Sequence, residues 1–322
     1  MRPVASTGNG NVATAYVGEV RDGRYVEFVE SVQPPLPRSE KWVLIVSTMF
    51  GCPIGCLMCD AGGHFAGNLT AGEILEQIDF LVGQRFPDGL VESRKFKIQF
   101  ARMGEPALNM AVLDVLDDLP DRYEAPGLIP SISTVAPAGR EAFFSELMDV
   151  KRRLYGGGRF QLQFSIHTTD DALRERLIPA RTWPLERIGR YGDAFYAEGD
   201  RKVTLNSALP DGMPLDAEVL LRYFDPDKFI VKMTPLNPTY RAAGNRLTSY
   251  LGLSEGNDRR GIVRALRRSG YEVIVSIGEP EENLIGSNCG QFVLRHLHAD
   301  RALSGAYTYQ LESVDRGADL DT

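Results

Sequence analysis

The chain has 322 residues, 43% hydrophobic and 25% charged, proportions of a globular protein with a sizeable core, and they exclude the disordered and fibrous classes. Its 36 lysines and arginines face 43 aspartates and glutamates, a formal net charge of −7, so no overall basic field gathers nucleic acid and only local patches could do so. No apolar run approaches bilayer-crossing length and Met1 to Gly10 lack an apolar signal core, which points to a reducing, cytoplasmic setting without a membrane partner.

Residues 1–41 read as an N-terminal β-hairpin extension. The first strong strand, 42–49, runs into Met49-Phe50-Gly51-Cys52-Pro53-Ile54-Gly55-Cys56-Leu57-Met58-Cys59-Asp60. Thiolates at Cys52, Cys56 and Cys59 can converge on one inorganic centre, and the one other cysteine, Cys289, lies more than two hundred residues downstream. Three ligands suit a four-iron cluster with one iron left open to a small molecule, the arrangement that radical S-adenosylmethionine (SAM) enzymes use. A closed zinc site including Cys289 is an alternative, although zinc ribbons pair two cysteine knuckles and Cys289 has no neighbouring cysteine. Disulfides within the triad fit poorly, because three cysteines within eight residues cannot easily meet the required Cα spacing and dihedral angles.

A helix follows the cysteine loop. Thr70 and Glu73 have the spacing of a capping box, and Ile74, Ile78, Leu81 and Val82 recur on one helical face. Further strands are expected at 95–101, 130–134, 160–166, 202–208, 228–234 and 271–277, separated mostly by helix-length segments, the order of parallel βα units. Several of them alternate: Phe160, Leu162, Phe164 and Ile166 oppose Gln161, Gln163, Ser165 and His167, and Phe96, Ile98 and Phe100 oppose Lys97 and Gln99. Val203 and Leu205 oppose Thr204 and Asn206, and Phe229, Val231 and Met233 oppose Lys232 and Thr234. A curved parallel sheet would turn the apolar faces toward outer helices and the polar faces into a cavity suited to a polar cofactor. An antiparallel sheet with one wet face would alternate as well. Gly156-Gly157-Gly158 precedes a strand and reads as a turn rather than a phosphate loop.

Taken together, the cysteine loop, Phe65-Ala66-Gly67-Asn68-Leu69-Thr70-Ala71-Gly72-Glu73-Ile74, Arg102-Met103-Gly104-Glu105-Pro106-Ala107-Leu108-Asn109, Ser165-Ile166-His167, Pro235-Leu236-Asn237-Pro238 and Asn288-Cys289-Gly290-Gln291-Phe292 resemble RlmN/Cfr-like radical SAM methyl synthases, which methylate adenine carbons in RNA. The resemblance spans about residues 14–293 and implies an α/β fold, a partial (β/α)6 TIM-like barrel with SAM across the strand ends. It implies Cys52, Cys56 and Cys59 as ligands of a 4Fe-4S cluster. It implies Gly104 and Glu105 as the site of the SAM amino group, with Ser133, Ser165, Ile166, His167 and Asn237 as further SAM contacts. Cys289 would take a methyl group from one SAM; a 5′-deoxyadenosyl radical from a second would then remove hydrogen from it, and the resulting radical would add to an sp2 carbon. Glu27 resembles the family's proton acceptor, and as a bare sequence feature it is equally a polar hairpin residue.

Departures from the family pattern bear on the substrate. A second reactive cysteine, expected seven residues before Cys52, is replaced by Ile45, so release of product through a disulfide is closed. About 40 residues precede the first barrel strand where the family has an RNA-binding domain, and two family arginines align with Gly278 and Glu281, the latter in the acidic run Glu279-Pro280-Glu281-Glu282. The reading is therefore a core barrel over 42–293 and a tail over 294–322. It performs methyl transfer with an electron donor such as flavodoxin or ferredoxin on a nucleobase-like or small unsaturated substrate, RNA being disfavoured. Two alternatives remain: direct radical attack on a small molecule, with Cys289 donating hydrogen or forming a thioether, and a non-catalytic metal-binding protein of this fold.

Overall fold

The computed structural model describes residues 1–249, 259–287, 303 and 306–314. Three antiparallel strands come first: β1 (Arg2–Asn9), β2 (Ala13–Glu19) and β3 (Tyr25–Ser31). β4 (Trp42–Val46) lies antiparallel to β3 and starts the parallel run. Helix α1 (Ala71–Arg85) leads to β5 (Phe96–Phe100), and a 3-10 turn (Pro106–Leu108) and α2 (Ala111–Arg122) lead to β6 (Leu128–Thr134). Next come α3 (Glu141–Leu154), β7 (Gln161–Ser165), α4 (Asp171–Leu177), α5 (Leu185–Phe195) and β8 (Val203–Ala208). They are followed by α6 (Ala217–Leu221), β9 (Phe229–Thr234), α7 (Tyr240–Gly244), α8 (Arg259–Arg268), β10 (Glu272–Val275), α9 (Pro280–Ile285) and β11 (Glu312–Ser313).

All strands belong to one sheet, ordered β10-β9-β8-β7-β6-β5-β4-β3-β2-β1-β11, so strands adjacent in sequence are adjacent in space over most of the chain. From β4 to β10 every pairing is parallel, which sets aside the antiparallel alternative for this part of the chain. The order does not close on itself, yet Lys97 of β5 and Lys232 of β9, four strands apart, line one cavity, so the sheet is strongly curved. The N-terminal strands extend this sheet, and Tyr16, Val26 and Phe28 join its core.

The expected strand 42–49 stops at Val46. Beyond it the backbone turns to other partners: the Ser47 amide donates to Gln77 Oε1 (2.9 Å), and those of Thr48 and Met49 donate to the Met103 carbonyl (2.8 and 3.1 Å). α1 begins with the anticipated capping box. Glu73 N donates to Thr70 Oγ1 (3.2 Å) and Thr70 N to Glu73 Oε2 (2.8 Å), and Ile74, Ile78, Leu81 and Val82 are buried. Gly156 to Gly158 form a turn.

The apolar strand faces are where the alternation places them. Phe96, Ile98, Phe100, Leu162, Phe164, Val203, Leu205, Phe229, Val231 and Met233 share one core with α1, α2, α3 and α5. Trp42 stacks on Phe96 there, with ring centroids 5.1 Å apart. Among the described residues no helix is long and apolar enough to cross a membrane.

Neighbouring residues of β7 test this two-faced sheet. Phe164→Ala is expected to cost about 3–5 kcal/mol of unfolding free energy, as a large ring leaves a packed core. Gln163→Ala, on the cavity face, should cost about 1 kcal/mol, the worth of one hydrogen bond. Urea unfolding of both variants checks this, and equal costs would contradict the assignment of faces.

Candidate active site

The opposite, polar strand faces wall a cavity of about 690 Å³. Lys97, Gln99, Ser133, Gln163, Ser165, Asn206, Lys232 and Thr234 point into it from five strands, and all three loop cysteines lie on its wall. Asn206 Oδ1 is buried there without a hydrogen-bond partner among the described residues, and Gln163 Nε2 donates to Ser133 Oγ (3.2 Å). A concave, polar surface at the carboxyl ends of parallel strands is the usual position for a ligand in such sheets.

Cys52, Cys56 and Cys59 lie in the loop after β4 and form no disulfide among the described residues. Burial pushes the Cys52 thiol up to about 11, and burial together with Cys59 and Cys52 pushes Cys56 well above its ordinary value. Neutral thiols so placed become thiolates only with a cation beside them, so the pocket suits a metal centre that supplies positive charge. Among the described residues no three cysteine, histidine or acidic side chains surround a single ion position. A four-iron cluster takes one thiolate per iron and does not need three sulfurs around one ion.

The loop is held from outside by α7. Thr239 caps that helix and also donates through Oγ1 to the Met58 carbonyl (2.8 Å). Arg241 reaches three loop carbonyls, Nε to Cys56 (3.1 Å), Nη1 to Gly62 (3.2 Å) and Nη2 to Gly55 (2.9 Å), while Asn245 Nδ2 donates to that of Leu57 (2.8 Å). The Asp60 carboxylate accepts the Tyr240 and Arg241 amides (3.2 and 2.9 Å). Sequence reading missed these residues. They sit about 180 positions from the loop, and the one available signal was Thr239 as a helix cap soon after the Asn237 motif.

Gly104, Glu105, Ser133, Ser165, His167 and Asn237 all line the cavity, in company with the cysteines. Gly104 has φ +108°, and a Cβ there would lie 2.6 Å from Thr48 Oγ1, so both conformation and space demand glycine. Glu105 follows as the cap of the 3-10 turn. Its oxygens accept the Ala107 and Val135 amides (3.1 and 2.9 Å), and burial raises its carboxyl to about 7 despite these bonds and one from Thr134. A buried acid held in this way gains from a cationic ligand, which would restore its charge. His167 sits at φ +63° with Nδ1 accepting the Ala208 amide (3.1 Å), so the neutral ring carries its proton on Nε2. Burial, then Arg174, lowers its pKa to about 3 and keeps it neutral.

Ile166 departs from expectation. Its side chain is fully buried in the apolar core, because it lies between two cavity-facing residues of an alternating stretch; it does not line the cavity. Glu27 sits in the β2–β3 hairpin opposite Val17, and it is not on the cavity wall. It lies within β3, fully buried, and Arg102 Nε (3.0 Å) and Nη2 (2.6 Å) both donate to its Oε2. Arg102 does line the cavity, and it further donates to the carbonyls of Gly286 and Ser287 (both 2.9 Å), tying the end of α9 to β3. Cys289 and its neighbours Asn288 to Phe292 lie outside the described residues. Ile45 lines the cavity, so the position of the family's second cysteine faces the site with an apolar side chain. Gly278 lines it as well, whereas Glu281 accepts from Asn9 (3.0 Å) and Tyr309 and is taken up by structure.

No family model matches the sequence. The chain is 28% identical over 292 residues, 87% of its length and 74% of the other's, to a protein of Thermus thermophilus named probable dual-specificity RNA methyltransferase RlmN. It is 31% identical over 224 residues to the dual-specificity RNA methyltransferase RlmN of Anaeromyxobacter dehalogenans, covering 67% of this chain and 57% of that one. Its fold is shared with a crystal structure of a radical SAM methyltransferase from Sphaerobacter thermophilus, at a TM-score of 0.68, 23% identity, and 88% and 79% coverage of the two chains. The relatives' names speak of RNA methyltransferases, which runs against the expectation that RNA is a disfavoured substrate.

The buried pair behind the cavity wall has a measurable worth. Arg102→Met, which removes both guanidinium donors to the buried Glu27 Oε2, is expected to cost about 3–5 kcal/mol of stability in chemical denaturation. The double variant Glu27→Met/Arg102→Met should cost distinctly less. A double variant no more stable than the single one would show that the pair is not a closed unit.

Proposed function

This chain belongs to the RlmN/Cfr-like family of radical SAM methyltransferases, and from that membership we propose that it methylates an sp2 carbon of an RNA base through Cys289. The observation that carries the reading is the meeting of Cys52, Cys56, Cys59, Gly104 and Glu105 on the wall of one polar cavity. When bound, a 4Fe-4S cluster and SAM would supply one-electron reductive cleavage and hydrogen abstraction, the electron coming from a donor such as flavodoxin or ferredoxin.

The chain's own residues would do the rest. Cys52, Cys56 and Cys59 hold the cluster as thiolates, and Arg241, Thr239 and Asn245 fix the loop that presents them. Glu105, anchored by two backbone amides, accepts the SAM ammonium, while Gly104 lets the backbone pass close beside it. The unpartnered Asn206 Oδ1 and the Nε2–H of His167 offer one acceptor and one donor to the remaining polar groups of SAM, next to Ser133, Ser165 and Asn237. Arg102, fixed by Glu27, holds Gly286 and Ser287, the residues just before the Cys289 segment. On this geometry Glu27 is a positioning residue for that segment. With Ile45 in the cavity wall, product leaves the enzyme by a route other than an internal disulfide.

The test supplies reduced enzyme with SAM labelled on its methyl group and, in parallel, protein-free ribosomal RNA, transfer RNA and a small-metabolite extract. Label should enter RNA and the tryptic peptide that contains Cys289, and Cys289→Ala should still form 5′-deoxyadenosine while making no methylated product. Label confined to a small metabolite, or absent from Cys289, would favour direct radical chemistry on a small molecule instead.

A further inference from the structure

The same cavity carries a second set of charges that cofactor binding does not use. Lys41 precedes β4, Lys97 is the second residue of β5 and Lys232 the fourth of β9, and all three line the cavity. The cysteines and Glu105 follow the carboxyl ends of β4 and β5. At a rise of about 3.3 Å per residue, Lys97 lies roughly 13 Å back along its strand from Ala101, where the chain turns toward Glu105. The cavity is thus charged at a second level, set by Lys97, with Lys232 in register with Asn206.

Lys97 is the centre of the second level. Among the described residues it forms no ion pair, and the charges that act on it, Lys232, Lys41 and Arg201, are all cationic. Burial first, and then these neighbours, lower its ammonium to about 7. Lys41, whose Nζ donates to Gln33 Oε1, is lowered by burial and by Lys95 and Lys232, with Glu282 acting the other way. Glu279 and Glu282 stand on the same wall, and Glu282 Oε2 accepts the Glu279 amide (3.1 Å). A buried ammonium such as that of Lys97, set among other cations, is costly unless an anion joins it. A tetrahedral oxyanion presents acceptors in several directions at once, which suits lysines converging from different strands. The amides of Gln99 and Gln163 on the wall add neutral donors.

We propose that Lys41, Lys97 and Lys232 form an oxyanion subsite that receives a phosphate group of the nucleotide substrate, away from the cysteine end of the cavity. The proposal rests on the reading of an RNA base as substrate and adds where its phosphate is held. It also gives a chain of net charge −7 a local means of binding a polyanion, inside the cavity rather than over its surface.

The experiment measures acetylation of Lys97 by acetic anhydride at neutral pH, read by mass spectrometry on the full chain purified anaerobically. Inorganic phosphate, adenosine 5′-monophosphate, adenosine and succinate are added separately at matched ionic strength, and SAM binding is titrated on the same preparation. Phosphate and adenosine 5′-monophosphate should protect Lys97, adenosine and succinate should not, and Lys232→Met should weaken phosphate protection about tenfold, the worth of one charge-assisted contact. Lys41→Met, just outside β4, gives a second variant with the same expected direction. Protection by succinate equal to that by phosphate would overturn the phosphate assignment, and no protection by any anion would overturn the subsite. Because SAM titration is read separately, intact SAM binding with an unprotected Lys97 would contradict only the subsite, whereas loss of SAM binding in the parent chain would contradict the radical SAM reading itself.

Discussion

Each strand of the parallel run has to satisfy two unlike environments with alternate side chains, and the site depends on that constraint. A parallel sheet covered on both faces by apolar layers would carry continuous apolar strands and leave no room between them. Here Phe96, Ile98, Phe164, Leu205 and Val231 go to the helices, and Lys97, Gln99, Gln163, Asn206 and Lys232 go to the cavity. The apolar layer supplies the stability, so the polar layer is free to hold groups that contribute none. Unpartnered Asn206 Oδ1, the raised Glu105 carboxyl and the lowered Lys97 ammonium are examples of such groups.

The cavity is completed by contacts that run between distant parts of the chain. α7 grips the cysteine loop through Arg241 and Thr239, and Arg102 joins β3 to the end of α9. Both fasteners use a guanidinium to collect backbone carbonyls, for which its planar fork of donors is suited. Loops are otherwise the least restrained parts of a fold, and these two arginines hold the cysteine loop and the end of α9 from behind.

Much of this was legible in the sequence because it is local. Period-two alternation, the Thr70–Glu73 capping box and the close spacing of the cysteines are written within ten residues each, and the structure realises them as strand faces, a helix start and one loop. What was not legible is long-range. Nothing near Arg241 announces the cysteine loop, and Arg102 reads as part of a glycine-glutamate motif until Glu27 is seen beside it. At Ile166 motif and pattern speak of different things: the motif names the residue as a cofactor contact, and its alternation with Ser165 and His167 places the side chain in the core. Within the acidic run from Glu279, Glu281 is bound to Asn9 and Tyr309, while Glu279 and Glu282 line the cavity.

The central claim is that three thiolates hold a cluster with one iron open to SAM. Electron paramagnetic resonance of the anaerobically purified, dithionite-reduced chain, recorded with and without SAM, tests it most directly. The account predicts about four irons per chain, a reduced-cluster spectrum whose g-values move on adding SAM, and the same behaviour in Cys289→Ala. Bound zinc, or a cluster spectrum indifferent to SAM, would contradict it.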